Sequence, residues 1–161
     1  MIVVDTCIIS SLAKVGRLGL LRNVDGPCTS PGVVREITNS GIPVLTKGLS
    51  EALGGWLEVR TVKNQEELSS MQDRYPVLGH VDCELILLAM ELESPLLSDD
   101  TRLVEEAEAG FRIETFDLCD FLAVLKTKNR IDEKELDGLI TELERKDHYR
   151  FSKESLRRLG R

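Results

Sequence analysis

Long apolar runs are missing from this 161-residue chain. No stretch approaches the ~18 consecutive apolar residues that a membrane span needs, so a spanning helix is excluded. Met1-Ile2-Val3-Val4-Asp5 has no basic stretch followed by a long apolar segment, and the expectation is no secretory signal. Aromatics are scarce at 4%, so Val, Ile, Leu and Ala must build the core. The four cysteines (Cys7, Cys28, Cys83, Cys119) form no CxxC pair. They read as buried thiols in a reducing cytoplasm, neither a disulfide frame nor a zinc site. A cationic excess is also missing: Lys and Arg number 21 against 28 Asp and Glu, a net charge of −7. That argues against a protein that coats polyanions generally.

What is present is globular: 42% hydrophobic and 30% charged residues, at the length of one ordinary domain. The charge is uneven. Residues 145–161 hold seven cations and two acids, a net +5, so the first 144 residues carry a net −12. A basic tail on an acidic body suits contact with nucleic acid or an acidic partner, or a solvated terminal helix.

Short apolar runs alternate with helical patterns. Ile2–Asp5, Pro27–Thr29, Trp56–Val62, Leu96–Ser98 and Phe111–Phe116 read as strands. Helical spacing covers Thr6 to about Val15, Leu18–Arg22, Ser30-capped Pro31 to Ile37, Lys47–Leu53, Asn64–Asp73 and Val81–Glu93. Thr101–Ala109 is a further helix, closed by Gly110, and Leu118–Thr127, Glu133–Arg145 and Lys153–Leu159 are three closing helices. This alternation predicts an α/β fold with a central parallel sheet of four to five strands and helices on both faces.

The informative feature is where the acids fall. Asp5 ends the first strand, and Asp99 and Asp100 end a later one. In open α/β sheets that edge is where ligands bind. Glu36 borders the apolar stripe of its helix. Asp82 lies three, four and seven residues before Leu85, Ile86 and Ala89, which places it on the buried face of a first helical turn. Taken singly, each is a helix cap or a solvated acid. Together they would repel, and only Glu36 has a cation, Arg35, beside it in sequence. A hard divalent cation with oxygen ligands resolves that repulsion. Alternation along the strand points Asp99 and Asp100 to opposite faces. Glu84 lies about 200° around the helix from Asp82 and is expected to face away. His80 reads as a loop or cap residue, and Tyr149 and Phe151 as packing for the last helix.

In these segments the sequence resembles a PIN domain, a small metal-dependent nuclease fold also found in toxin–antitoxin ribonucleases. They are Ile2-Val3-Val4-Asp5-Thr6, Val33-Val34-Arg35-Glu36-Ile37, Leu78-Gly79-His80-Val81-Asp82-Cys83-Glu84 and Leu96-Leu97-Ser98-Asp99-Asp100-Thr101-Arg102. Their order fits the family over about residues 1–116. Lys126-Thr127-Lys128-Asn129-Arg130-Ile131 resembles the basic end of a helix in a prokaryotic subgroup. The resemblance implies one three-layer PIN-like domain over 1–161, with a helical extension from about 117 to 161. It implies hydrolysis of RNA phosphodiester bonds, with Asp5, Glu36, Asp82 and Asp99 or Asp100 holding one or two Mg²⁺ or Mn²⁺ ions. Thr6 or Ser98 would orient a carboxylate or a metal-bound water. The implied partners are single-stranded RNA, an antitoxin protein if the chain is a toxin, and a second copy in a homodimer. One departure stands out: family members often carry Glu where Asp82 stands.

Two other readings compete. The chain is a catalytically weak or inactive PIN-like module that binds RNA or protein, or it is a phosphatase-like or nucleotide hydrolase. The lack of a GxxxxGK[ST] loop makes the last the weakest.

Overall fold

The computed structural model describes residues 1–161. Five parallel strands form one sheet in the order β3-β2-β1-β4-β5: β1 (Ile2–Val4), β2 (Pro27–Thr29), β3 (Glu58–Val59), β4 (Leu96–Leu97) and β5 (Thr115–Phe116). Val3 pairs with Cys28 on one side and Leu96 on the other. The central strands are buried throughout, as parallel strands covered on both faces must be. The chain grows leftward from β1 to β3, then crosses back to β4 and β5.

Nine α-helices surround this sheet. Helices α1 (Thr6–Lys14), α2 (Pro31–Asn39) and α3 (Pro43–Leu53) accompany the leftward half. Helices α4 (Gln65–Arg74), α5 (His80–Glu91) and α6 (Thr101–Phe111) accompany the return. Helix α1 packs against α2 and α3, α5 packs against α4 and α6, and α2 also meets α5. Helices α7 (Leu118–Thr127), α8 (Glu133–Glu142) and α9 (Lys153–Arg158) close the chain. One continuous core of 42 apolar residues runs through both faces. It is built almost wholly from aliphatic side chains, as the scarcity of aromatics requires.

Five expected elements differ in the structure, the first being the Phe111–Phe116 strand, of which only Thr115–Phe116 pairs because Phe111 ends α6. Helix α3 starts at Pro43, not Lys47, because proline's fixed φ suits the first helical position. Only Glu58–Val59 of the expected Trp56–Val62 strand pairs, at the exposed sheet edge. Gly110 lies inside α6; Phe111 extends the helix by packing on Tyr75, and Arg112 caps it in the left-handed conformation at φ 57°. The helix expected to reach Arg145 stops at Glu142 and widens into a π-turn over Leu143–Asp147. That turn carries Asp147 onto α1, where Ser11 Oγ (2.5 Å) and Lys14 Nζ (2.6 Å) donate to its carboxylate. No helix is long and apolar enough to cross a membrane.

Candidate functional site

Acids follow β1 and β4 at the C-terminal edge of the sheet: Asp5 directly after β1, and Asp99 and Asp100 beyond Ser98 after β4. Asp5 follows β1, is only 7% exposed, and caps α1 by accepting from the Thr6 N–H at 2.5 Å. Its second oxygen accepts from the Ser98 hydroxyl at 2.6 Å and the Cys7 thiol at 3.0 Å. Ser98 follows β4 and is fully buried. Its Oγ also accepts from the Asp100 N–H at 3.0 Å. One serine therefore ties the end of β1 to the turn that carries Asp100.

Asp99 and Asp100 part company as strand alternation expects. Asp100 is exposed and caps α6 by accepting from the Leu103 N–H. Asp99 turns toward α7, where Oδ1 accepts from the Leu118 N–H at 3.0 Å. The Tyr149 hydroxyl approaches it but stops short of a regular hydrogen bond, so Oδ2 is buried without a partner. Burial raises the Asp99 carboxyl above the usual range, and the negative charges of Asp117 and Asp5 add to the rise.

Glu36 sits on the exposed side of α2, where the Thr6 hydroxyl donates to its Oε2 at 2.5 Å. Thr6 and Ser98 thus each hold a different carboxylate. Asp82 occupies the first turn of α5 and accepts from the Gly79 N–H at 2.8 Å. Burial pushes its carboxyl up. The Gly79 bond opposes this, and the charges of Asp5, Asp100 and Glu36 push it further. The charges of Asp5, Asp100 and Glu36 thus bear on Asp82, and that of Asp5 also bears on Asp99, whose carboxylate turns toward α7.

No ion pair relieves these groups. The salt bridges of the molecule involve none of Asp5, Glu36, Asp82, Asp99 or Asp100. Nor do they close into a ready-made cage: no three His, Cys, Asp or Glu side chains converge closely enough to hold a metal ion. We call this loose set of unpaired oxygen donors the acid ring; its donor chemistry is one that hard divalent cations fit.

Two residues differ from expectation. Glu84 does turn away from Asp82, but into the protein, where it is 6% exposed. Its Oε2 accepts from the Gly32 N–H of α2 at 2.7 Å, and Oε1 lies 3.2 Å from Arg35 Nη2 and 3.1 Å from His80 Nε2. Burial alone would raise its carboxyl. Bonds from Ser30 and Gly32 and the charges of His80 and Arg35 outweigh burial and hold it below the usual range. The sequence does carry a signal for this: Glu84 is the one polar residue within the buried run Cys83–Ala89. Tyr149, expected to pack only on the last helix, also reaches Asp99 at the sheet edge. Burial, first, and the Asp99 charge hold its hydroxyl protonated.

The four cysteines are all free. Cys7 is half-buried between Asp5, Ser98 and the Asp99 N–H. Burial and then the Asp5 charge push its thiol far up, so it acts as a hydrogen-bonding filler and not a nucleophile.

Comparison with known proteins agrees with this architecture. The family model described as DUF3368, PIN domain, matches residues 1–161. Among solved structures, a PilT N-terminus domain protein from the hyperthermophilic archaeon Sulfolobus solfataricus P2 is similar at TM-score 0.54 and 20% identity, over 76% of this chain and 91% of that one. At that identity the likeness speaks for the fold alone. No curated protein matches the chain.

Proposed function

The chain belongs to the PIN domain family, typically metal-dependent nucleases, and on that premise we propose that it is a Mg²⁺- or Mn²⁺-dependent endoribonuclease. One observation carries the reading. Thr6 links Asp5 to Glu36 and Ser98 links Asp5 to the turn of Asp100, neither these acids nor Asp82 have a cationic partner, and the three charges raise the Asp82 carboxyl. These four would hold the ion. Asp99, turned to α7, would support the edge from behind. A bound divalent ion would make an attacking water more acidic and neutralise charge developing on the phosphate. The chain's own part is to position oxygens beforehand. Ser98 and Cys7 fix Asp5, Thr6 fixes Glu36, and the α6 cap fixes Asp100. Toxin activity, an antitoxin partner and a homodimeric state belong to the same proposal through the resemblance, and nothing in the site depends on them.

The test uses purified protein, single-stranded RNA and Mn²⁺, with and without EDTA. Wild type should cut, EDTA should stop it, and Asp5→Asn should reduce the rate by at least the ~100-fold that loss of an outer partner of a metal ligand can cost. Equal cutting by wild type and Asp5→Asn would mark the activity as a contaminant. The openness of the acid ring favours one alternative, a PIN-like module that binds without cutting. RNA binding with no metal-dependent cleavage would establish that instead.

The basic tail enters with a smaller role than its charge suggests. Arg145 and Lys146 pair with Glu142, Arg158 with Asp117 and Asp120, and Arg161 with Glu133 and Asp137. Only Arg150, Lys153 and Arg157 stand exposed and unpaired. If they meet RNA phosphates, replacing all three with Gln should flatten the salt dependence of binding by about 0.7 for each phosphate that is no longer neutralised. A slope equal to wild type would confine the tail to a structural role.

A further inference from the structure

Glu84 lies outside the acid ring, yet its partners join two helices that carry members of it. Its Oε2 accepts from the backbone of Gly32 in the first turn of α2, and its Oε1 faces Arg35, one turn further along the same helix. A further partner, His80, opens α5, Glu84's own helix. One carboxylate, 6% exposed, therefore fastens the N-terminal end of α2 to the first turn of α5. Glu36 follows Gly32 by four residues, about one helical turn. Asp82 precedes Glu84 by two. Any shift of α2 against α5 changes the separation of Glu36 and Asp82 directly.

Gly32 is shaped for this contact. A Cβ there would stand 2.3 Å from Glu84 Oε2 and 2.8 Å from Val81 Cγ2. No residue with a side chain lets the carboxylate reach the backbone N–H at 2.7 Å. The ordinary account of Glu84 is a satisfied buried acid that only stabilises the fold. Against it stands the choice of partners: apart from His80, they all lie on α2 or its cap.

We infer that Glu84 is a positioning residue that sets the spacing of Glu36 and Asp82, and so tunes how tightly the acid ring takes a divalent cation. The inference rests on the metal-dependent reading above. Its test reads metal affinity rather than stability. Mn²⁺ is titrated into the full chain, and the midpoint of the rise in melting temperature is recorded. Loss of a group that orients metal ligands typically weakens affinity about 10- to 100-fold, so Glu84→Ala should move the midpoint up by that factor. Gly32→Ala changes no charge and should do likewise by displacing the carboxylate. In Glu84→Ala/Gly32→Ala the two effects should merge instead of multiplying. Glu84→Gln keeps an acceptor for Gly32 and should recover most of the affinity, and Gly32→Ala carries the test if Glu84→Ala does not fold.

A lower melting temperature without metal, combined with an unmoved Mn²⁺ midpoint, would reduce Glu84 to a structural acid. Multiplying effects in the double variant would overturn the link through Gly32. A wild type with no Mn²⁺ response at all would instead overturn the metal-site reading, and this inference with it.

Discussion

Asp82→Asn should abolish metal-dependent cleavage and, at the same time, make the metal-free protein more stable. The two effects have one cause. Asp82 is half-buried in the first turn of α5, where burial and the charges of Asp5, Asp100 and Glu36 all disfavour its anion. Asn keeps an oxygen for the Gly79 N–H and removes the charge that its neighbours oppose. In wild type, a divalent ion offsets the same repulsion. At 100 times Kd, ligand binding adds about 2.7 kcal/mol, or roughly 5–11 °C for a chain of this size. Wild type should show that gain with Mn²⁺ by scanning calorimetry. Asp82→Asn should start higher and gain nothing. A variant that starts lower and still gains would remove Asp82 from the site.

The pH dependence has a definite sign. A carboxyl raised in the folded state binds its proton more tightly there than in the unfolded chain. Between the ordinary carboxylate value and the raised one, the folded state holds more protons, so metal-free stability falls as pH rises through that window. Metal requires the anion. The Mn²⁺-induced gain in melting temperature should therefore grow over the same window, and proton release should accompany binding. In Asp82→Asn both slopes should shrink together.

Most of the sheet is legible in the sequence because β1, β2 and β4 are short apolar runs with an acid or a helix cap directly after them. Val3, Val4, Leu96 and Leu97 have no other place to go but a doubly covered sheet. Sequence order then puts Asp5, Ser98 and Asp100 at one edge without any knowledge of distances. What stays closed depends on contacts between distant segments. Strand alternation separates Asp99 from Asp100 but does not say which of the two acts on Asp82; in the structure the Asp100 charge, and not that of Asp99, raises the Asp82 carboxyl. Helical geometry gives Glu84 a direction and nothing more. Its burial comes from Gly32, 52 residues earlier, which offers a backbone donor where a side chain would block the approach. The tail's net +5 is visible as composition, but its pairing with acids of α7 and α8 is not.

That pairing leads to the second large effect: cutting the chain after Glu142 should destabilise the whole fold rather than merely remove a nucleic-acid contact. Residues 143–161 contribute Leu143 and Leu159, both fully buried. Lys126 Nζ reaches from α7 to the Leu159 carbonyl at 2.9 Å and to Glu133 at 2.8 Å, so the basic pattern at the end of α7 is a structural tie. Asp147 holds Ser11 and Lys14 of α1, the helix that begins at Asp5. Exposed ion pairs such as Arg161–Asp137 add little, about 0–1 kcal/mol each. The buried leucines decide the outcome, since each costs about 2–5 kcal/mol when truncated to Ala. Leu159→Ala alone should lower the melting temperature by roughly 4–20 °C at ~2–4 °C per kcal/mol. Removing both leucines with the Asp147 anchor approaches the ~5–15 kcal/mol that holds a domain folded. Circular dichroism and gel filtration of the truncated chain check this. A truncated protein that melts with wild type would make the tail a detachable arm, and only then would a truncation report cleanly on RNA binding.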